Sequence, residues 1–258
     1  MANTKISDLV SLTGAGAAQD DLLPIVDVSA ATTKKITRGE FLSSVDQIAF
    51  DTVNTTASPT EGVLTWDTQD KTLSLGLNGG QVVLQVGQET HYRVRNNTAS
   101  LIPNGTVVRF SGVIGASGIM TVAPALANGV YPSSHIIGVT TEDIGVGNDG
   151  LVTHFGKVRG VNTSAYAVGD VLYASPTVSG GFTTVRPDAP YNIVSVAAVL
   201  SSGNNGVLFV RPHVEDIWQA VPASATAAGK KGDNAFDNDY FYVCVATNTW
   251  KRVALTSW

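Results

Sequence analysis

The chain has 258 residues, 43% of them hydrophobic, enough for one large domain or two to three small ones with a real core. Only 14% are charged and the formal net charge is −5, so there is no basic footprint for nucleic acid or an anionic membrane surface. The single cysteine, Cys244, excludes an intrachain disulfide framework and a cysteine-rich metal site, and no apolar run reaches the ~18 residues of a membrane-spanning helix.

In chain order, residues 1–45 read as an extended segment with little core of its own. Thr4-Lys-Ile-Ser-Asp-Leu-Val10 predicts a short helical start capped by Ser7 or Asp8. Its polar, charged opening lacks the apolar block of a signal peptide. Asp21-Leu-Leu-Pro-Ile-Val-Asp-Val28 predicts a strand, with Pro24 pushing it to an edge. Lys34-Lys-Ile-Thr-Arg38 predicts a second strand, and residues 38–42 a short helical turn. A unit this small needs a partner to stay ordered.

Residues 46–100 predict hairpins leading into a body. Gly62-Val-Leu-Thr-Trp66, Thr72-Leu-Ser-Leu-Gly-Leu77 and Gln81-Val-Val-Leu-Gln-Val86 alternate with a period near two, and Asn78-Gly-Gly80 is a strong hairpin signal. Residues 101–213 predict the body itself. Strand-length apolar runs such as Thr106–Phe110, Ile136–Thr140, Leu151–Phe155, Ile193–Ala197 and Gly206–Val210 are cut apart by glycine-rich turns. That pattern is all-β, sandwich-like or barrel-like.

Residues 214–258 predict a connector, a small-residue linker at Pro222–Gly229, and a compact tail. Asp239-Tyr-Phe-Tyr-Val-Cys-Val-Ala246 and Trp250-Lys-Arg-Val-Ala-Leu255 flank an Asn248 turn and predict a hairpin, with Cys244 as a small buried hydrophobe. Tyr240, Tyr242, Trp250 and Trp258 fit packing across that hairpin or at a subunit interface, and alternatively an exposed platform for glycan or another partner.

Chemistry is sparse. Gly145-Val-Gly-Asn-Asp-Gly150 matches a dinucleotide-loop pattern, but a strand rather than a helix follows it. It reads as a hairpin turn in which the glycines and Asn-Asp supply positive φ. His91, His135, His154 and His213 include no pair at metal-ligand spacing. Asp233–Asp239 concentrates carboxylates but lacks the glycine and final glutamate of a calcium loop, so it reads as a solvated turn. There is no nucleophile elbow, and no carboxylate pair stands out as glycosidase-like. The expectation is a non-enzymatic chain without a cofactor or resident metal.

Three stretches carry a resemblance. Ile6-Ser7-Asp8-Leu9, Asp21-Leu22-Leu23-Pro24-Ile25-Val26-Asp27 and Thr33-Lys34-Lys35-Ile36-Thr37 resemble the N-terminal attachment segment of tailed-bacteriophage fibre and virion structural proteins. Leu64–Asp67, Leu75–Leu77, Gln85–Glu89, Gly138–Ile144, Gly156–Gly160 and Leu172–Pro176 are similar, in that order, to a module of the same class. Gly232-Asp233, Tyr240–Ala246, Asn248–Val253 and Trp258 resemble a short C-terminal fibre module.

The resemblance implies a virion structural protein, most simply a homotrimeric tail fibre assembled in the host cytoplasm and contributing to host adsorption. Ile6, Leu9, Leu23, Ile25 and Ile36 would be its anchor on tail, neck or capsid proteins. A capsid-bound head fibre or decoration protein and a host-glycan-binding module are the alternatives. His91 and His154 read first as surface or half-buried strand residues, the lesser alternative being three copies of one of them around an ion on a trimer axis. Neither nucleic-acid binding nor membrane insertion is implied.

Overall fold

A computed structural model describes residues 22–27, 32–37, 47–53, 59–188, 191–215 and 220–257. The chain divides into two units, Met1–Asp51 and Thr52–Trp258. In the first, β1 (Leu22–Asp27) and β2 (Thr32–Thr37) pair antiparallel along their whole length, with Leu23 opposite Ile36 and Pro24 opposite Lys35. Pro24 is tolerated because a two-stranded ribbon has only edges. Ile6, Leu9, the proposed helical start and the turn at 38–42 lie outside the described residues.

The second unit is all-β among its described residues, as the alternation of apolar runs and turns predicts. It opens with a three-stranded antiparallel sheet, β3 (Leu64–Asp67), β4 (Thr72–Leu77) and β5 (Val82–Gln85). The β4–β5 turn is Asn78-Gly79-Gly80, all three residues at positive φ (41, 68 and 80°), which is why this tripeptide sits there. At the β3–β4 turn the Asp67 carboxylate accepts the backbone N–H groups of Gln69 and Asp70 at 2.8 and 2.9 Å, a local cap of the kind aspartate makes.

Five strands then close a barrel: β6 (Thr90–Asn96), β7 (Val107–Ile114), β8 (Ile119–Pro124), β9 (Ile136–Thr140) and β10 (Asp149–Val161). The circuit runs β10-β6-β8-β7-β9 and returns to β10, with β6–β8 its one parallel pair. Residues 90–96 therefore belong to the body and not to the hairpins ahead of it. β10 has 13 residues and does two jobs. Its first half closes the barrel. Its second half pairs with β14 (Gly206–Val214), followed outward by β13 (Val194–Ser201), β11 (Val171–Ala174) and β12 (Phe182–Thr183).

Two cores result. Val94, Ile102, Val108, Val122, Ile144 and Val152 fill the barrel. A larger core, including Val107, Val139, Val158, Leu172, Val196 and Leu208, lies between the barrel and the outer strands. Adjacent Val107 and Val108 enter different cores because successive strand side chains point to opposite faces.

The tail is a third sheet, β15 (Asn234–Phe236), β16 (Tyr240–Ala246) and β17 (Thr249–Ala254). The β16–β17 hairpin turns at Asn248, at φ 53°. Pro222–Gly229 is not a free linker. Ala225 accepts the Trp250 backbone N–H at 2.8 Å, and Gly229 accepts that of Asn248 at 2.9 Å.

Candidate interaction surfaces

The densest group of charged side chains joins the β3–β5 sheet to the body. Glu89 lies just ahead of β6 and its side chain is only 1% exposed. Its carboxylate accepts the backbone N–H of Gln85 at 3.0 Å, the backbone N–H of Lys157 at 3.1 Å and Arg159 Nη1 at 3.1 Å. Arg159 Nη2 also donates to Gln85 Oε1 at 3.0 Å and to Asp70 Oδ2 at 3.3 Å, and Lys157 pairs with Asp70. Two β10 cations are thus met by groups from the β3–β4 turn, β5 and the segment before β6. Every charged member is paired, so the cluster ties one sheet to another. A cleft of about 420 Å³ remains beside it, lined by Thr65, Asp67, Ser74, Gln85, Lys157 and Arg159.

Glu89 was not legible as a site residue. The one local signal is Gly156, a glycine inside a strand, which marks a close approach. A Cβ there would stand 2.5 Å from Glu89 Cγ.

His91 also packs into this region. Its side chain is 4% exposed, Nδ1 lies 3.1 Å from Thr153 Oγ1, and Nε2 is 3.7 Å from Glu89. Burial holds its pKa below the ordinary value, outweighing the pull of the Glu89 carboxylate. His91 is thus a packed strand residue enclosed within the chain. His154 Nδ1 donates to the Ile137 carbonyl at 2.8 Å, and its ring lies 5.4 Å from that of Tyr92. Among the described residues no group of three or more His, Cys, Asp or Glu side chains is placed to hold a metal.

Gly145–Asn148 end the loop between β9 and β10, and Asp149 and Gly150 open β10. Only Gly147 has positive φ (71°), so neither the other glycines nor Asn148-Asp149 supply it as expected. Asp149 already belongs to β10, where Arg95 Nε donates to it at 2.6 Å and Arg93 pairs with it. The Arg95 hydrogen bond, first among its contacts, lowers the pKa of Asp149. In the Asp233–Asp239 stretch, Asp237 accepts the Asp239 and Tyr240 backbone N–H groups and the Tyr242 hydroxyl, at 2.9, 2.7 and 2.8 Å. Those carboxylate bonds organise a turn.

The tail aromatics divide. Tyr242 and Trp250 are 8% and 6% exposed and form a small core with Ala235 and Cys244, so they are not part of an exposed platform. Trp250 Nε1 donates to the Ala227 carbonyl at 3.2 Å. Tyr240 is half-buried under the Arg252 guanidinium, 4.0 Å above its ring. Trp258 lies outside the described residues. Cys244 is a free, buried thiol. Of the residues expected to form an anchor, Leu23, Ile25 and Ile36 share one face of the β1–β2 ribbon by register.

A further surface is the outward face of the outer strands. Phe155 and Phe209 stack edge to face at 5.3 Å, and Val171, Ala198, Phe209, Arg211 and His213 line a shallow groove of about 280 Å³.

No protein-family model matches the chain. Short stretches match two curated phage proteins. Depolymerase 1 of Klebsiella phage K5-2, named as capsule-specific, is 47% identical over 57 residues, 22% of this chain and 7% of that protein. A capsule-specific depolymerase of Klebsiella phage K64-1 is 41% identical over 46 residues, 18% of this chain and 6% of that protein. The chain therefore spans less than a tenth of the length of either relative. Among solved structures, the head fiber gp8.5 N base of bacteriophage phi29 aligns with a TM-score of 0.31 at 15% identity, over 47% of this chain and 93% of that one, a likeness too low to carry fold or function.

Proposed function

We propose that the chain is a tailed-phage virion structural protein of the fibre type, mounted on the particle by its N-terminal unit and contributing to host adsorption. One observation carries this reading. A stretch of 57 residues is shared at 47% identity with a phage protein of which it makes up only 7%. A short segment common to chains of such different length behaves as an exchangeable module. Attachment to a common kind of particle is the function that such chains need to share. The N-terminal unit, Met1–Asp51, has a matching size.

In this reading Ile6, Leu9, Leu23, Ile25 and Ile36 dock on other virion proteins, because a two-stranded ribbon buries too little to stand alone. The body is a spacer, and the chain assembles as a homotrimer. It works mechanically and not as an enzyme. The matched stretches cover 7% and 6% of the named depolymerases, and their activity is that of those proteins.

The test is incorporation. Removing residues 1–45 is expected to leave the β body folded and to abolish recovery of the protein in purified particles. Normal incorporation of the shortened chain overturns the assignment.

A further inference from the structure

The β3–β5 sheet covers the opposite face from the one a lone domain should bury. Register puts Thr65, Ser74 and Gln85 in one cross-strand row. This polar row faces the body: Ser74 and Gln85 are 3% and 4% exposed, and Gln85 accepts from Arg159. The other face is apolar in every row. Leu64, Leu75 and Leu84 lie abreast, Trp66 sits opposite Leu73, and Leu77 opposite Val82. Of these Val82 is buried, Trp66, Leu73, Leu75, Leu77 and Leu84 are half-buried, and Leu64 is 40% exposed. None of the five leucines belongs to any of the three buried cores. One-sided sheets in water bury the apolar face and solvate the polar one. Here the polar face is consumed by the clamp, and the leucine face is left to a partner.

We propose that this leucine face is where copies of the chain meet one another, their sheets converging on a shared apolar core. The proposal rests on the reading of the chain as a self-assembling virion component. Charge selects the occupant. The face has no ionisable side chain, so a charged or polar partner surface would lose its hydration without gaining an ion pair. The surface that matches an uncharged leucine sheet in width, pleat and chemistry is the same face on another copy.

Size agrees. β4 is six residues long and β3 and β5 four each, so at ~3.3 Å per residue and ~4.8 Å between strands the face presents roughly 220 Å². That is the apolar centre of a contact of about 800 Å² per partner, with flanking residues as the rim. Val86, 42% exposed and bonded to the Leu73 carbonyl, extends the patch at its margin.

Leu75 is central, flanked by Leu64 and Leu84. The experiment uses the full chain and light scattering after gel filtration. The unmodified protein is expected at a multiple of 26.9 kDa, and Leu75→Glu/Leu84→Glu at the single-chain mass with an unchanged β circular-dichroism spectrum. A second variant guards against misfolding. Leu75→Cys in a Cys244→Ser background is expected to link copies through a short bis-maleimide. An oligomer that persists in the double glutamate variant, or a Leu75→Cys variant that fails to cross-link, overturns the leucine face and leaves the virion reading to the incorporation assay. A single-chain mass for the unmodified protein at all concentrations also overturns it.

Discussion

Gly138 of β9 lies directly against Thr153 of β10. A Cβ at residue 138 would stand 2.1 Å from the Thr153 carbonyl oxygen and 3.0 Å from a Val152 methyl carbon. This contact sits at the seam where β9 returns to β10 and the barrel closes, with Val139 paired to Thr153 and Thr140 to Val152. Backbone cannot yield as a flexible side chain does. Gly138→Ala is therefore expected to destabilise the protein by about 3 kcal/mol, the upper end of overpacking costs. A chemical-denaturation midpoint equal to that of the unmodified protein contradicts the seam.

The Glu89 clamp makes a second prediction. Glu89→Gln keeps the shape but puts an amide where a carboxylate accepts from two backbone N–H groups and Arg159. Removing one partner of a buried pair costs ~3–5 kcal/mol, and the partial exposure of Arg159 argues for the low end. The loss should exceed that of Asp149→Asn, because the Asp149 side chain is 18% exposed and that of Glu89 only 1%. Thermal unfolding of the two variants side by side decides it.

His91 sets a pH dependence. Its folded-state pKa lies below the ordinary 6.5, chiefly through burial, with Glu89 and Arg159 the charged groups facing it. Below 6.5 the unfolded chain takes up a proton that the folded chain refuses, so stability falls with pH and levels off beneath the folded pKa. His91→Gln should flatten this window, read as the urea midpoint between pH 7.5 and 5. The contribution of Asp149 has the other origin. Its lowered carboxyl pKa gives stability that is present above 3.8 and lost only at lower pH, as the pH falls through the folded value.

In the tail, Trp250 is packed so closely that a Cβ on Gly229 would stand 2.8 Å from its indole. Trp250→Ala removes the largest member of a four-residue core and is expected to cost about 3–5 kcal/mol. So small a sheet should then unfold. Limited proteolysis would cut within residues 222–257 and spare the body. A tail that remains resistant speaks against this core.

What the sequence disclosed was local. Alternation announced β3, β4 and β5, Asn78-Gly79-Gly80 announced their turn, and the Tyr and Trp runs announced β16 and β17. What it hid was decided by distant partners. Glu89 meets Arg159 across 70 residues, so no local pattern links them. The place of β6 in the body was hidden because its partners, β8 and β10, lie further along the chain. Pro222–Gly229 has the composition of a linker, and only the Trp250 indole and the β17 backbone explain why it is ordered. The leucine face was visible as period-two alternation. That the polar row would face inward depended on Arg159, 74 residues beyond Gln85.

β10 belongs to the barrel along one half and to the outer sheet along the other. Tension applied between those two parts would be carried along a single strand and resisted in shear by hydrogen bonds to β6 on one side and β14 on the other. Such bonds must fail together instead of unzipping one at a time. A protein that is pulled on would gain toughness from that continuity without any increase in the size of its core.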